Sequence, residues 1–166
     1  MFDPSILKQG DAILYSPSSV VGYVIAIKTW SWVSHIEGYI GEGKSIGARP
    51  KGIDIYPLRN DKHSAYILRP NEPFDFGKAM GWFNKEAKGD KYDFKGLFDF
   101  YDVHNCTLDP SKQVCSVLMA LWYQAGDCNI FAPTYPPNKI SPAQFLQTPH
   151  MDIIWKKNDK ISITKL

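Results

Sequence analysis

The chain has 166 residues, of which 44% are hydrophobic and 14% aromatic, so it can bury one core of ordinary size. Its 19 basic and 17 acidic residues give a formal net charge of +2 and are spread along the sequence, without the clustered basic stripe that is typical of nucleic-acid binding proteins. We therefore expect a single domain over residues 1–166, a monomer, and no nucleic-acid partner.

The N-terminal residues and the most apolar run bear on localisation. MFDPSILKQG carries Asp3 and has no basic segment followed by an apolar core, so we expect no cleaved secretory signal and a cytoplasmic protein. The run VVGYVIAI at residues 20–27 is shorter than the ~20 residues of a membrane-spanning helix. It predicts a core helix or a lipid-facing surface, and no transmembrane segment.

The first half of the chain has the alternation of short strands. GDAILYS at residues 10–16 predicts a strand, and the apolar residues 20–30 predict a helix after it. HIEGYI and KSIGAR predict a hairpin closed by the three-residue loop Gly41, Glu42 and Gly43. GIDIYPL and HSAYILRP continue the pattern, so we expect an antiparallel sheet.

The second half changes to helical spacing. The predicted helical segments are residues 74–89, 92–103, 109–126 and 141–148. The third of them has Asp109 or Ser111 as N-cap and Gly126 as terminator. The tail from residue 151 predicts a closing hairpin turned at Asn158 and Asp159. A sheet first, helices second and strands at the end make an α+β protein.

The cysteines and one histidine are the candidate catalytic residues. Cys106, Cys115 and Cys128 cannot all pair within one chain and lack the C-x-x-C spacing of zinc ligands. Cys115 falls within the first two turns of its predicted helix, where free backbone N–H groups favour a thiolate. Because a cysteine nucleophile is usually activated by a histidine that is distant in sequence, His35 is its candidate partner.

A structural role is the alternative for both residues. Free cysteine is among the most buried residue types, and Cys115, Met119 and Trp122 share one helical face that could pack in the core. His35 could be an imidazole that is hydrogen-bonded at the start of a strand. The spacing alone leaves both interpretations open.

Four blocks of sequence, in order, carry a resemblance to a known family. They are GDAILYS, WSWVSHIEGYIGEGKSIGARPKGIDIYPL, GDKYDFKGLFDF and QVCSVLMALWYQAG. Together they resemble the circularly permuted branch of the NlpC-type papain-like cysteine hydrolases, which includes YiiX/YaeF-like amidases and the lecithin:retinol acyltransferase relatives. The resemblance covers roughly residues 10–150. It implies a papain-like fold in permuted order, with an antiparallel sheet packed against the helix that bears the cysteine.

The resemblance also implies roles for particular residues. Cys115 matches the nucleophile and His35 the general base of an acyl-transfer mechanism on an amide, ester or thioester, with no metal and no cofactor. As a hint from the sequence itself, Arg49 and Lys51 would clamp the carboxylate of a cell-wall peptide. Tyr92 and Asp93 would shape the substrate groove, with aromatic core packing as the alternative.

The expected substrate is a peptidoglycan-type peptide or amide, and two alternatives remain. An enzyme without a signal peptide would reach the cell wall after lysis, as a phage-encoded enzyme does, or act on recycled fragments. The apolar run VVGYVIAIKTWSWV favours a lipid-acyl hydrolase or transferase instead. The third alternative is a catalytically silent peptide- or lipid-binding domain.

The silent alternative depends on a departure from the family pattern at Gly47. The family's third polar residue usually lies about a dozen positions after the histidine, and Gly47 occupies that window. With a three-residue loop, cross-strand partners have numbers that sum to 84, so Glu37 faces Gly47 on the same side of the sheet as His35. We predict that Glu37 replaces the missing partner. The alternative is that Glu37 pairs with Arg49, its diagonal neighbour, and a two-residue loop would shift the register.

Overall fold

A computed structural model describes most of the chain. The described residues are 1–18, 23, 31–92, 112–113, 115–132, 134–135 and 140–157, with the backbone alone for residues 91–92 and 112–113. The statements below concern those residues.

The dominant feature is a six-stranded sheet in which every pair of neighbours is antiparallel. The strands of the described chain are β1 (Ala12–Tyr15), β2 (His35–Gly41), β3 (Lys44–Arg49), β4 (Gly52–Pro57), β5 (Ser64–Pro70), β6 (Lys91–Tyr92), β7 (Lys112–Gln113) and β8 (Met151–Lys156). The order across the large sheet is β4-β3-β2-β1-β5-β8, and β6 and β7 form a separate parallel pair. The α+β class predicted from the sequence is confirmed.

The hairpin between β2 and β3 keeps the predicted register, although its turn differs from the prediction. Gly41 pairs with Lys44 across a two-residue turn in which Glu42 and Gly43 both have positive φ. A two-residue turn alone would give a sum of 85. The register slips by one between Tyr39 and Gly41, and Tyr39 pairs with Ser45 beyond that point. This bulge restores the sum of 84 that the loop prediction assumed.

The described chain has two α-helices, of which one packs on strands β2 and β3 and the other packs against that helix. Helix α1 (Phe76–Trp82) continues as a π-helical segment (Phe83–Ala87), and helix α2 is Cys115–Ala125. Short 3₁₀ turns lie at Pro4–Ile6 and Pro142–Leu146. No helix in the described part of the chain has the length and apolar character needed to cross a membrane.

The start of helix α2 corrects the sequence prediction. The pattern placed the N-cap at Asp109 or Ser111, but Lys112–Gln113 pair as a strand with Lys91–Tyr92 and the helix begins at Cys115. Tertiary pairing therefore overrides the local helix signal. Cys115 becomes the first residue of the helix.

Several predictions fall on residues that the structure does not describe. These are the helix at 20–30 apart from Tyr23, most of the aromatic segment at 92–103, Asp93, Cys106, Asp109, Ser111 and the turn at Asn158 and Asp159. Tyr92 lies in β6, which is a strand where the pattern predicted a helix, and its side chain is outside the description.

The core has two parts, one on each face of the sheet. The larger part lies between the sheet and the helices and includes Leu14, Ile36, Ile46, Leu118 and Trp122. The smaller part, on the opposite face, is formed by Phe2, Ile13, Tyr15 and Ile67. Because side chains alternate along a strand, neighbouring residues of β1 and β2 serve different parts of the protein.

Candidate active site

Helix α2 and strand β2 bring Cys115 to His35. Gly38 lets the helix approach the strand, since a Cβ there would lie 2.8 Å from both Met119 Cε and Trp122 Cζ3. Cys115 is one helical turn before Met119 on this helix. Cys115 is one of the groups that raise the pKa of His35, which places the thiol next to the imidazole.

Cys115 fits both interpretations that its sequence position allowed. It is 3% exposed and belongs to the core cluster that contains Met119 and Trp122, as a packing role requires. It also lies next to His35 at the first residue of α2, where a helix has unpaired backbone N–H groups. The His35 side chain is 20% exposed, so the pair meets solvent through the imidazole.

Glu37 holds the side of the imidazole that Cys115 does not use. Glu37 Oε1 lies 2.9 Å from His35 Nε2, which leaves Nδ1 as the nitrogen for Cys115. Arg49 binds the same carboxylate with two N–H groups, from Nε to Oε1 at 2.7 Å and from Nη2 to Oε2 at 2.9 Å. The contacts to His35 and to Arg49, which the sequence offers as alternatives, are present together.

Gly47 provides the space that this carboxylate occupies. A Cβ at position 47 would lie 3.0 Å from Glu37 Cγ and 3.2 Å from both Glu37 Cδ and Oε1. Glu37 itself is completely buried. Gly47, which leaves β3 without the family's third polar residue, thus provides the space for the Glu37 side chain from β2.

The electrostatics of the site favour charged forms of His35 and Glu37. Burial by itself would lower the pKa of His35, but Cys115 and Glu37 outweigh it through hydrogen bonds and charge and raise the pKa to about 9. Burial would raise the pKa of Glu37, but the hydrogen bonds and charges of His35 and Arg49 lower it to about 2. At neutral pH the site therefore holds an imidazolium against a buried carboxylate.

Two contributors to the site are absent from the sequence-based predictions. The buried Ser45 hydroxyl donates to Glu37 Oε2 at 2.8 Å. The Tyr15 ring is the cross-strand neighbour of His35, with ring centroids 5.9 Å apart. Alternation along β3 could have revealed Ser45, because it shares a strand face with Gly47 and Arg49.

The residues proposed from the sequence for substrate binding have different outcomes. The Arg49 guanidinium binds Glu37 and also stacks on Tyr56, with its Cζ 4.3 Å from the ring centroid. The structure therefore places Arg49 as a partner of Glu37. The Tyr92 side chain and Asp93 lie outside the described residues.

No metal centre is evident in the described part of the chain. Within it, no group of three or more His, Cys, Asp and Glu side chains is arranged to hold a metal ion.

Comparison with known proteins bears on the fold. No protein-family model matches the chain, and no curated protein matches its sequence. Among solved structures, the chain is similar to the metalloprotein YiiX from Escherichia coli O157:H7, with a TM-score of 0.56 and 16% sequence identity. The match covers 90% of this chain and 97% of that one. At this identity the similarity shows a YiiX-like fold and nothing further.

Proposed function

We propose that the chain is a thiol hydrolase or acyltransferase of the permuted papain-like kind, in which Cys115 is the nucleophile, His35 the acid and base, and Glu37 the group that orients the imidazole. The observation that carries the proposal is that Cys115 raises the pKa of His35 from one side while Glu37 Oε1 lies 2.9 Å from His35 Nε2 on the other. A nucleophile, a base and an orienting third group are the parts that covalent acyl transfer needs.

The proposed reaction has two halves, acylation of Cys115 and release of the acyl group. The Cys115 thiolate attacks the carbonyl carbon of an amide or ester and forms a tetrahedral intermediate. His35 gives its Nδ1 proton to the leaving amine or alcohol, and a thioester to Cys115 remains. Neutral His35 then removes a proton from water or an acceptor alcohol, which attacks the thioester and releases Cys115. Glu37 stabilises the imidazolium at both ends of the cycle and keeps Nε2 protonated throughout.

The proposed substrate is an amide in a peptidoglycan-type peptide, and one observation favours a lipid ester as the second candidate. Trp32, three residues before His35, is 80% exposed. An exposed indole this close in sequence to His35 is suited to contact with a membrane surface or an acyl chain. The silent-domain alternative depended on the lack of a polar partner for His35, and Glu37 removes that argument.

A metal has no evident place in this mechanism, although the YiiX neighbour is called a metalloprotein. His35 Nε2 is hydrogen-bonded to Glu37, and both oxygens of Glu37 already accept hydrogen bonds. Cys115 and one ring nitrogen are fewer ligands than the three or four protein ligands of a zinc site. The described residues do not fit a metal here, and no step is assigned to one.

Thiol reactivity tests the proposal whatever the substrate is. Iodoacetamide should alkylate Cys115 faster than Cys128 at pH 6–7, since burial and the charge of Glu72 raise the pKa of the Cys128 thiol to about 11. The rates are followed by peptide mass spectrometry. Faster alkylation of Cys128 in the folded protein would contradict the nucleophile assignment.

Substrate class is tested by the mass of the acylated protein. Peptidoglycan-derived peptides and phospholipid esters are supplied separately, and an acyl group on Cys115 identifies the productive class. Cys115→Ser should abolish turnover, while Cys128→Ser, a matched buried cysteine, should retain it. If Cys115→Ser only lowers the melting temperature and no substrate acylates the wild type, Cys115 is a packing residue.

A further inference from the structure

Ser45 is a buried hydroxyl whose side chain points at the site rather than at the backbone. Its Oγ donates to Glu37 Oε2 at 2.8 Å, and both residues are fully buried. Ser45 lies on β3 opposite Tyr39 and two residues before Gly47. The gap above Gly47 and the donor at Ser45 therefore face the same carboxylate.

The donors around Glu37 match its capacity to accept. Each carboxylate oxygen has two lone pairs. Oε1 accepts from His35 Nε2 and Arg49 Nε, and Oε2 accepts from Arg49 Nη2 and Ser45 Oγ. Rotation of the carboxylate about its terminal bond would break at least two of these bonds, so the orientation of Oε1 towards His35 is over-determined.

We propose that Ser45 is a positioning residue of the site, because its hydroxyl fills the last acceptor position of Glu37. The carboxylate then holds the His35 ring in one tautomer. It also stays an anion while the proton moves between His35 and the reacting groups. This rests on the proposed function. A proton could reach Oε2 only by displacing Ser45 or Arg49. Ser45 is enclosed, whereas the Arg49 side chain is 26% exposed and water can replace its hydrogen bonds to Glu37.

The test compares three variants. Ser45→Ala removes the donor and Ser45→Thr keeps a hydroxyl. Ser64→Ala is the matched control, because Ser64 is a buried serine of the same sheet that accepts from the Asp61 backbone. The readouts are the pH dependence of Cys115 alkylation and the ¹⁵N and ¹H resonances of the His35 ring.

Ser45→Ala should slow alkylation at neutral pH by about tenfold, the size expected for one lost hydrogen bond to a charged group. The pH at which His35 loses its proton should fall, and the Nε2 proton signal should broaden because Oε1 is no longer held at 2.9 Å. Ser45→Thr should restore most of the rate, and Ser64→Ala should leave the His35 signals unchanged. In a Glu37→Gln background, Ser45→Ala should have no further effect on alkylation.

Opposite results overturn the inference. An unchanged His35 titration and Nε2 signal in Ser45→Ala would mean that Arg49 alone fixes Glu37. The same spectral change in Ser64→Ala would mean that the effect is general packing. If Cys115 of the wild type is unreactive, the proposed function fails, and the His35 resonances still decide the role of Ser45 because they need no turnover.

Discussion

Alanine at position 47 should damage the site through one added methyl group. The new Cβ would lie 3.0 Å from Glu37 Cγ, which is about half an ångström inside an ordinary carbon contact of ~3.5–4.0 Å. Gly47 has no positive φ, so the change adds no backbone strain. The whole effect must come from pushing Glu37 out of its place.

The expected cost follows from two contributions. Overpacking a buried site costs about 1–3 kcal/mol, and a carboxylate displaced from its partners adds part of the ~3–5 kcal/mol that a broken buried ion pair costs. We therefore expect Gly47→Ala to lower the free energy of unfolding by about 2–4 kcal/mol. Cys115 alkylation should slow by about tenfold or more, since ~1.4 kcal/mol corresponds to tenfold and His35 loses its partner.

Urea unfolding and iodoacetamide kinetics measure the two effects. Gly81→Ala is the control, because Gly81 lies in helix α1 and its added Cβ would have no neighbour within 4 Å; it should be neutral or stabilise by up to ~1 kcal/mol. In a Glu37→Ala background, Gly47→Ala should cost much less, because the side chain it strikes is gone.

Moving the carboxylate across the hairpin gives a stricter test. The double variant Glu37→Gly with Gly47→Glu presents the acid from β3 into the same space, and it should recover part of the alkylation rate that Glu37→Ala loses. The reasoning is refuted if Gly47→Ala keeps wild-type stability within ~0.5 kcal/mol and wild-type alkylation.

Three other predictions follow from contacts around the site. The free energy of unfolding should fall by at most about 3 kcal/mol as the pH is lowered from 4.5 to 2, because folding lowers the pKa of Glu37 from its ordinary 4.5 to about 2 and the stabilisation is present in full only above that range. Glu37→Gln should flatten this part of the curve of stability against pH. An equal slope in Glu37→Gln would contradict the prediction. Arg49→Lys loses the two hydrogen bonds from the guanidinium to Glu37, and the free energy of unfolding in urea should fall by about 1.5–3 kcal/mol. An unchanged unfolding midpoint would show that water replaces the lost hydrogen bonds. Gly38→Ala would place a methyl group 2.8 Å from Met119 and Trp122, so it should lower the free energy of unfolding by about 1–3 kcal/mol and slow Cys115 labelling. A stable variant with normal labelling would show that α2 can shift away from β2 at no cost.

Local sequence patterns were sufficient for most strands of the large sheet and for placing His35 and Glu37 on one face of it. GDAILYS and HSAYILRP correspond to β1 and β5, and all four residues of β1 are buried because the two core clusters cover both faces of the sheet there. Alternation along β2 put His35 and Glu37 on one face, and the resemblance named Cys115. These features depend on neighbours close in the chain, which is the information that a single sequence contains.

Three details needed the tertiary structure. The hairpin has a shorter turn than its glycines indicated, and a bulge before Gly41 corrects the register. The register of such a pair is specified by which face of the strands is buried, and this depends on the packed sheet. Helix α2 begins at Cys115 and not near Asp109, because Lys112–Gln113 pair with a strand some twenty residues earlier in the chain. Glu37 binds both His35 and Arg49, since a carboxylate has acceptors for both. Sequence spacing could offer those two partners only as alternatives. Whether the two carboxylate oxygens of Glu37 reach both partners depends on distances of a few tenths of an ångström, and only the packed sheet defines them.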